Sequence, residues 1–371
     1  GPGKQAVDST SAYVSTGAVN QASCSDGHYN LNGNGPCIEV AAGYVASTSS
    51  TATNTQADCS TVQCTHAAPC QGGSFKAATG AGSCDAVGAG NYGHVYGHMY
   101  VATAATGKSP CPSGTFDDST NNLGDGVGDC DDVQNGYQAL NGVGGAFVSE
   151  GAVAEGACAD GSYNPNGDGA CIDVPAGSYG SADGINHATS AATGAFPCAN
   201  GSFNSNGTGA CTDVDPGNQA VDSSGVNGAY VSTGAVNQAT CPDGHYNLNG
   251  NGPCIQVAAG YVASTSNTAT ATQADCSDSS TPCTHAAPCQ DGSYKAATGA
   301  GSCTDVDDGY FATSDDHTYV NSAATGSSPC PNGTFSTNGT GDCTDVGPGK
   351  QAVDSTSAYV STGAVNQASC S

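Results

Sequence analysis

The chain has 371 residues, with 55 Gly, 21 Cys, 7 Phe, one Met and no Trp. So few large apolar side chains exclude the conventional cored domains that this length would otherwise hold. Thirty-two acidic residues against five lysines give a formal charge of −27, which disfavours nucleic acid and anionic membrane as partners and favours cations.

Residues 1–23 read as the end of a preceding module. Module one, 24–69, opens on "CSDGHYNLNGNGPC" and carries an additional cysteine pair, Cys59 and Cys64. Module two, 70–110, opens on "CQGGSFKAATGAGSC", and module three, 111–157, on the longest version, "CPSGTFDDSTNNLGDGVGDC". Modules four (158–197) and five (198–240) open on "CADGSYNPNGDGAC" and "CANGSFNSNGTGAC". Module six, 241–288, repeats module one nearly letter for letter, additional pair included (Cys276 and Cys283). Module seven, 289–329, repeats module two, and module eight, 330–369, opens on "CPNGTFSTNGTGDC". Residues 370–371 start a next period. The 25 residues from Gly1 repeat without change from Gly347, an offset of 347 − 1 = 346 residues, or about 43 per module. Such repetition implies that the polypeptide continues past both ends in the same register.

Within each opening, Gly stands three residues after the first Cys and Tyr or Phe two later, at Tyr29, Phe75, Phe116, Tyr163, Phe203, Tyr246, Tyr294 and Phe335. Asn-Gly supplies the positive φ that hairpin turns require. Short Ile/Val and Tyr alternations follow the second Cys, and no stretch holds a helical period. The expected fold is therefore small, disulfide-rich and mostly β or irregular. It is a tandem array of about eight β-hairpin modules forming an elongated repeat protein, each module touching its neighbours. With no other large side chain in a module, the aromatic is expected to pack on its own module's disulfide.

The near-constant spacing predicts bridges across the hairpins: Cys24–Cys37, Cys70–Cys84, Cys111–Cys130, Cys158–Cys171, Cys198–Cys211, Cys241–Cys254, Cys289–Cys303 and Cys330–Cys343. Cys59–Cys64 and Cys276–Cys283 complete the set, leaving Cys370 for a partner beyond the end. The alternative joins each second Cys to the next first Cys, such as Cys37–Cys70. Bridges on this scale imply an oxidising, extracellular or cell-surface location.

The runs "CPNGTF…GTGDC" and "CPSGTF…GVGDC" resemble the cysteine-rich repeats of the ephrin-receptor-like type, similar to the first sub-modules of tumour necrosis factor receptor ectodomains. Arrays of that kind occur in protist surface antigens and in mastigoneme-type extracellular filaments. The resemblance implies receptors, spacers or coats and fixes no activity. The family continues C-x-x-C after the second Cys, where this chain has C-x-x-Val (Val40, Val174, Val214, Val257, Val306, Val346). One inter-module bridge is thus missing.

No nucleophile–base arrangement recurs, and the chain reads as a non-enzyme that requires no cofactor. "CTHAAPC" (Cys64–Cys70) has a zinc-like look, set against the additional disulfide. "NNLGDGVGDCDDV" is similar to the core of thrombospondin type 3 calcium repeats, and makes Asp125, Asp129 and Asp131 candidate calcium ligands. Sequons stand at Asn200, Asn206, Asn332 and Asn338, and Ser/Thr-rich loops (Ser47–Thr55, Ser264–Thr272) are candidate O-glycan carriers. The function expected is a structural one: a disulfide-stapled array assembling with itself into an extracellular filament, hair or coat. The other reading is a surface antigen or adhesin that grips glycans or a receptor with its loops.

Overall fold

The computed structural model describes residues 1–118, 130–222, 228–314 and 317–370. The chain forms two compact units, Gly1–Asp173 with Ser181–Gly194, and Val174–Gly180 with Ala195–Ser371. Among the described residues every strand pairs as a hairpin or small antiparallel sheet, there is no α-helix, and no helix is long and apolar enough to cross a membrane.

Each module contains two hairpins in succession, except that in module two the second is a three-stranded sheet in which Asn91–Val95 pairs with both Met99–Tyr100 and Gly107–Pro110. The first is a pair of two-residue strands, such as His28–Tyr29 with Ile38–Glu39, or Ser202–Phe203 with Thr212–Asp213. Two-residue strands hold few ladder bonds and no independent core, so a covalent clamp is needed. It is there: ten disulfides close the ten pairs read from the cysteine spacing. Cys37 does not join Cys70. Cys64 and Cys70 are both bridged, so neither is a thiolate free to hold zinc in "CTHAAPC".

The second hairpin is longer and leads into the next module, as Tyr44–Ser47 with His66–Pro69 leads into Cys70. Its loop folds back so that one Ala lies parallel to the short strand: Ala105 beside Phe75, Ala152 beside Phe116, Ala192 beside Tyr163, Ala235 beside Phe203, Ala324 beside Tyr294 and Ala364 beside Phe335. All six are 2% exposed or less. In modules one and six the same place is taken by Cys64 and Cys283, whose carbonyls accept from Asn30 and Asn247 as the Ala carbonyls do elsewhere. The additional disulfides therefore tie down a longer loop at a position that is otherwise Ala.

In modules one and six the aromatic packs on its module's additional disulfide, as expected, whereas the cystine across its own hairpin takes no part in the core elsewhere. Tyr29 packs with Val40, Ala46 and the additional Cys59–Cys64 bridge. Phe116 packs with Val133, Ala139 and Ala152, Phe203 with Val214, Ala220 and Ala235, and Tyr294 with Val306, Ala312 and Ala324. The cystine across the aromatic's own hairpin belongs to none of these clusters. The Val of C-x-x-Val provides the apolar seat instead, which is why a cysteine can be absent there without loss of a core.

Just before the parallel Ala, the backbone takes a positive φ: Gly151 (68°), Gly234 (69°) and Gly363 (68°), but also Ala104 (59°), Ala191 (56°) and Ala323 (55°). A Cβ in that region costs roughly 1–2 kcal/mol. Ala104→Gly, Ala191→Gly and Ala323→Gly are each expected to stabilise the local module by part of that amount, offset by the entropy of Gly in the unfolded chain. Slower amide exchange within modules two, four and seven of the triple variant checks it.

Candidate functional site

The feature that recurs most faithfully is the joint between one module and the next, built largely from backbone. Eight glycines that close one module, Gly3, Gly43, Gly90, Gly136, Gly177, Gly217, Gly260 and Gly309, donate their N–H to the next module at 2.6–3.2 Å. The acceptor is always the carbonyl just after that module's aromatic, for example Asn30, Lys76 or Ser336. The carbonyls of these glycines, and of Gly349, accept from the next first cysteine, from Cys24 to Cys370, at 2.8–3.0 Å. A two-way backbone clasp thus crosses every joint.

The residue that follows the aromatic is polar and buried in every module. Asn30, Asn164, Asn204 and Asn247 are 1–5% exposed, Lys76 4%, Lys295 6%, Asp117 7% and Ser336 5%. Sequence inspection passed over it, although a polar letter after Tyr or Phe stands in all eight openings. Asn247 shows its work. Its Nδ2 donates to Asn218 O of the preceding module (2.9 Å) and to Gly252 O (3.0 Å), while Oδ1 accepts from Gly250 N (3.0 Å) and Asn249 N (3.3 Å). Asn30 and Asn164 do the same toward Lys4 O and Tyr137 O. One buried amide thereby shapes the disulfide loop and fastens it to its neighbour, and burial is tolerated because its polar groups are satisfied.

A glutamine completes the joint. Gln5, Gln138 and Gln219 each accept, through Oε1, the N–H of the next module's second cysteine (Cys37, Cys171, Cys254) at 2.9–3.0 Å. The turn glycines explain the Asn-Gly motif at this face. A Cβ on Gly167, Gly207, Gly250 or Gly339 would stand 2.0–2.2 Å from the carbonyl of Val133, Val174, Val214 or Val306 in the module before. Only a residue without a side chain permits that approach.

Modules two and seven replace the buried Asn with lysine. Lys76 Nζ donates to Ala78 O and Gly80 O, both at 2.8 Å, and Lys295 Nζ donates to Gly299 O. Burial pushes both amines below the ordinary 10.5, and the Glu39 carboxylate opposes this at Lys76, whereas Gln256 stands at that place beside Lys295. Glu39→Gln should therefore lower the Lys76 titration further and leave that of Lys295 unchanged, as read from the side-chain NMR shift of each lysine. Between the folded value and 10.5 the unfolded chain holds more protons, so stability from these sites rises with pH across that window. Tyr319, raised by burial and by the Asp291 charge, has the opposite sign, which makes the residue's own titration the useful readout.

Asn200 and Asn332 are exposed, and their Oδ1 accept from Tyr230 and Tyr359 hydroxyls at 2.9 and 3.3 Å. Asp291 makes the same contact with Tyr319, and Asp160 with His187 at 2.8 Å. Asn206 and Asn338 are exposed turn residues whose Oδ1 accept from the N–H two residues on, as Asn32, Asn166 and Asn249 do in modules without a sequon. All four sequons thus coincide with positions at which Asn or Asp has a conformational task. Asp131 is exposed on the strand Asp131–Asp132, and Asp125 and Asp129 lie outside the described residues. Among the described residues no three His, Cys, Asp or Glu side chains converge on a metal site. No protein-family model matches the chain, and no curated protein matches it significantly.

Proposed function

We propose that the protein is a structural extracellular protein whose tandem modules assemble into a filament, hair or surface coat. The observation that carries this reading is the joint, made eight times over with the same backbone clasp. A ligand site calls for one distinctive module, whereas a material calls for one contact repeated, since equivalent contacts that do not close into a ring propagate as an open assembly. Ten disulfides suit an oxidising space outside the cell. The charge of −27 would keep assembled strands from clumping laterally.

Electron microscopy of native material tests the reading. Fibres or an ordered coat are expected, and native material that sediments only as a compact monomer would defeat it. Glycans belong to the same proposal. The exposed Asn200, Asn206, Asn332 and Asn338 are expected to carry sugar in part, so the intact mass of native protein should exceed that of the disulfide-closed polypeptide. Equality of the two masses would remove the glycan part alone.

A further inference from the structure

Module two carries a loop that its near-duplicate, module seven, shares only in part. Asn91–Val95 pairs with Gly107–Pro110 so that His94 faces Gly107 and Tyr92 faces Ser109. Residues two apart on a strand share a face, so Tyr92, His94, Gly107 and Ser109 lie on one side of this sheet. A single 3-10 turn, Tyr96–His98, brings His98 back over the same side, where its Nδ1 stands 2.7 Å from Ser109 Oγ. The two imidazoles meet with ring centroids 4.8 Å apart and planes tilted by 49°. His94 lies against bare backbone: a Cβ on Gly107 would stand 2.9 Å from its Cε1 and 3.1 Å from its Nε2. Lys108, between Gly107 and Ser109, projects from the opposite side, where its Nζ donates to Val87 O at 3.0 Å.

Module seven shows which part of this arrangement is added. There Thr313 faces Gly326 and Phe311 faces Ser328, in the register of His94 and Tyr92. His317 keeps the place of His98, with the same left-handed backbone (φ 61° against 63°) and the same approach to a serine, Ser328, at 3.1 Å. The second imidazole is absent, and so is a hydroxyl. Tyr92 OH donates to His98 O at 3.2 Å and pins the turn, which Phe311 cannot do.

We infer that His94 and His98 form a two-imidazole site for a divalent transition ion of the copper(II) or zinc(II) class, the ions that imidazole suits best. Val95 O, 3.1 Å from His94 Nδ1, can only accept, so the ring hydrogen sits on Nδ1 and the lone pair on Nε2. Ser109 Oγ can accept from His98 Nδ1 in the same way, which leaves that ring's Nε2 bare as well. Both contacts orient the rings as the outer partners of metal-bound histidines do. Two imidazoles bound through Nε2 at about 2.0–2.1 Å, and roughly 90–110° apart, hold their centroids about 4.5–5.2 Å from each other. The 4.8 Å between His94 and His98 falls within that interval. His98 is exposed, so the remaining coordination positions are open to water. The overall charge of −27 raises the local concentration of cations. The site stands apart from the self-assembly reading, which needs no metal.

The test titrates copper(II) into the full chain in a buffer that does not chelate it. Cys370→Ser is present throughout, so that the free thiol neither binds nor reduces the ion. Paramagnetic copper broadens the imidazole NMR signals of its ligands. The signals of His94 and His98 are expected to vanish together below one equivalent, while that of His317, the single-imidazole counterpart, stays sharp. Zinc(II), which is diamagnetic, should shift the same two signals. His94→Thr copies the residue that module seven has at this place. It should raise the copper concentration needed to broaden His98 about tenfold or more, because the second ligand of a chelate acts at high effective concentration. Closed disulfides by mass and an unchanged circular dichroism spectrum certify folding of the variant. Copper that broadens His317 as early as His94 and His98 overturns the inference. So does a folded His94→Thr chain whose His98 responds to copper as the parent's does.

Discussion

Asn247→Ala is expected to weaken module six by on the order of 4 kcal/mol, because it strips partners from several buried backbone groups at once. Gly250 and Asn249 lose the acceptor of their N–H, and Asn218 and Gly252 lose the donor to their carbonyl. The chain supplies its own control. Asn30 stands in the near-duplicate module one and makes matching bonds to Lys4, Gly35 and Gly33. Amide exchange should therefore accelerate at Gly217, Gly250 and Cys254 and remain slow at Gly3, Gly33 and Cys37. Repeat arrays do not melt as one unit, so residue-resolved exchange is the measurement that checks it. Equal acceleration in both modules, or in neither, would contradict the role assigned to the buried amide.

Opening Cys241–Cys254 by replacing both cysteines with Ala should cost about 3 kcal/mol, the loop-closure value for a separation of this size, here 13 residues. The loss falls on a hairpin of two-residue strands, His245–Tyr246 with Ile255–Gln256, which has little else to hold it closed. The joint should fail with it, since the N–H of residue 254 is held by Gln219 only while the loop keeps its shape. The same change at Cys59 and Cys64 should be milder. That bridge closes five residues rather than 13, and Ala already fills the place of Cys64 in six other modules. Denaturant titration followed by exchange in modules one and six separates the two outcomes.

Much of the fold could be read in the letters because covalent spacing leaves a plain trace. Cys24 and Cys37 keep the interval found at Cys158–Cys171 and Cys198–Cys211, and a bridge across a hairpin is the local way to satisfy it. The Asn-Gly turns were legible for a similar reason: they need a conformation few other residues adopt. The joint was not legible, because most of its donors and acceptors are backbone groups, which every residue except proline has. The part carried by side chains was hidden by substitution. Asn30, Lys76, Ser336 and Asp117 share no chemistry beyond polarity, and only their common burial identifies them as one position. In the modules without an additional disulfide the place of the aromatic was misjudged because the seat is a modest residue. Val133 with Ala139, or Val214 with Ala235, looks too small to be a core until a Phe is laid across it.

Placing each bridge across a short hairpin has a mechanical consequence. A chain pulled from its ends cannot unravel past a cystine, so the residues from Cys198 to Cys211, and their counterparts, are withheld from extension. What can pay out is the stretch between bridges. From Cys211 to Cys241 that is 241 − 211 = 30 residues, or at most on the order of 100 Å of contour. The clasp that must break first is the backbone pair at Gly217, which holds both Asn247 and Cys241. Under tension the array would therefore yield in discrete steps, one joint at a time, each step absorbing work and each ending at a covalent stop. On release, the stapled hairpins are still formed, and only the longer hairpin has to find its seat again.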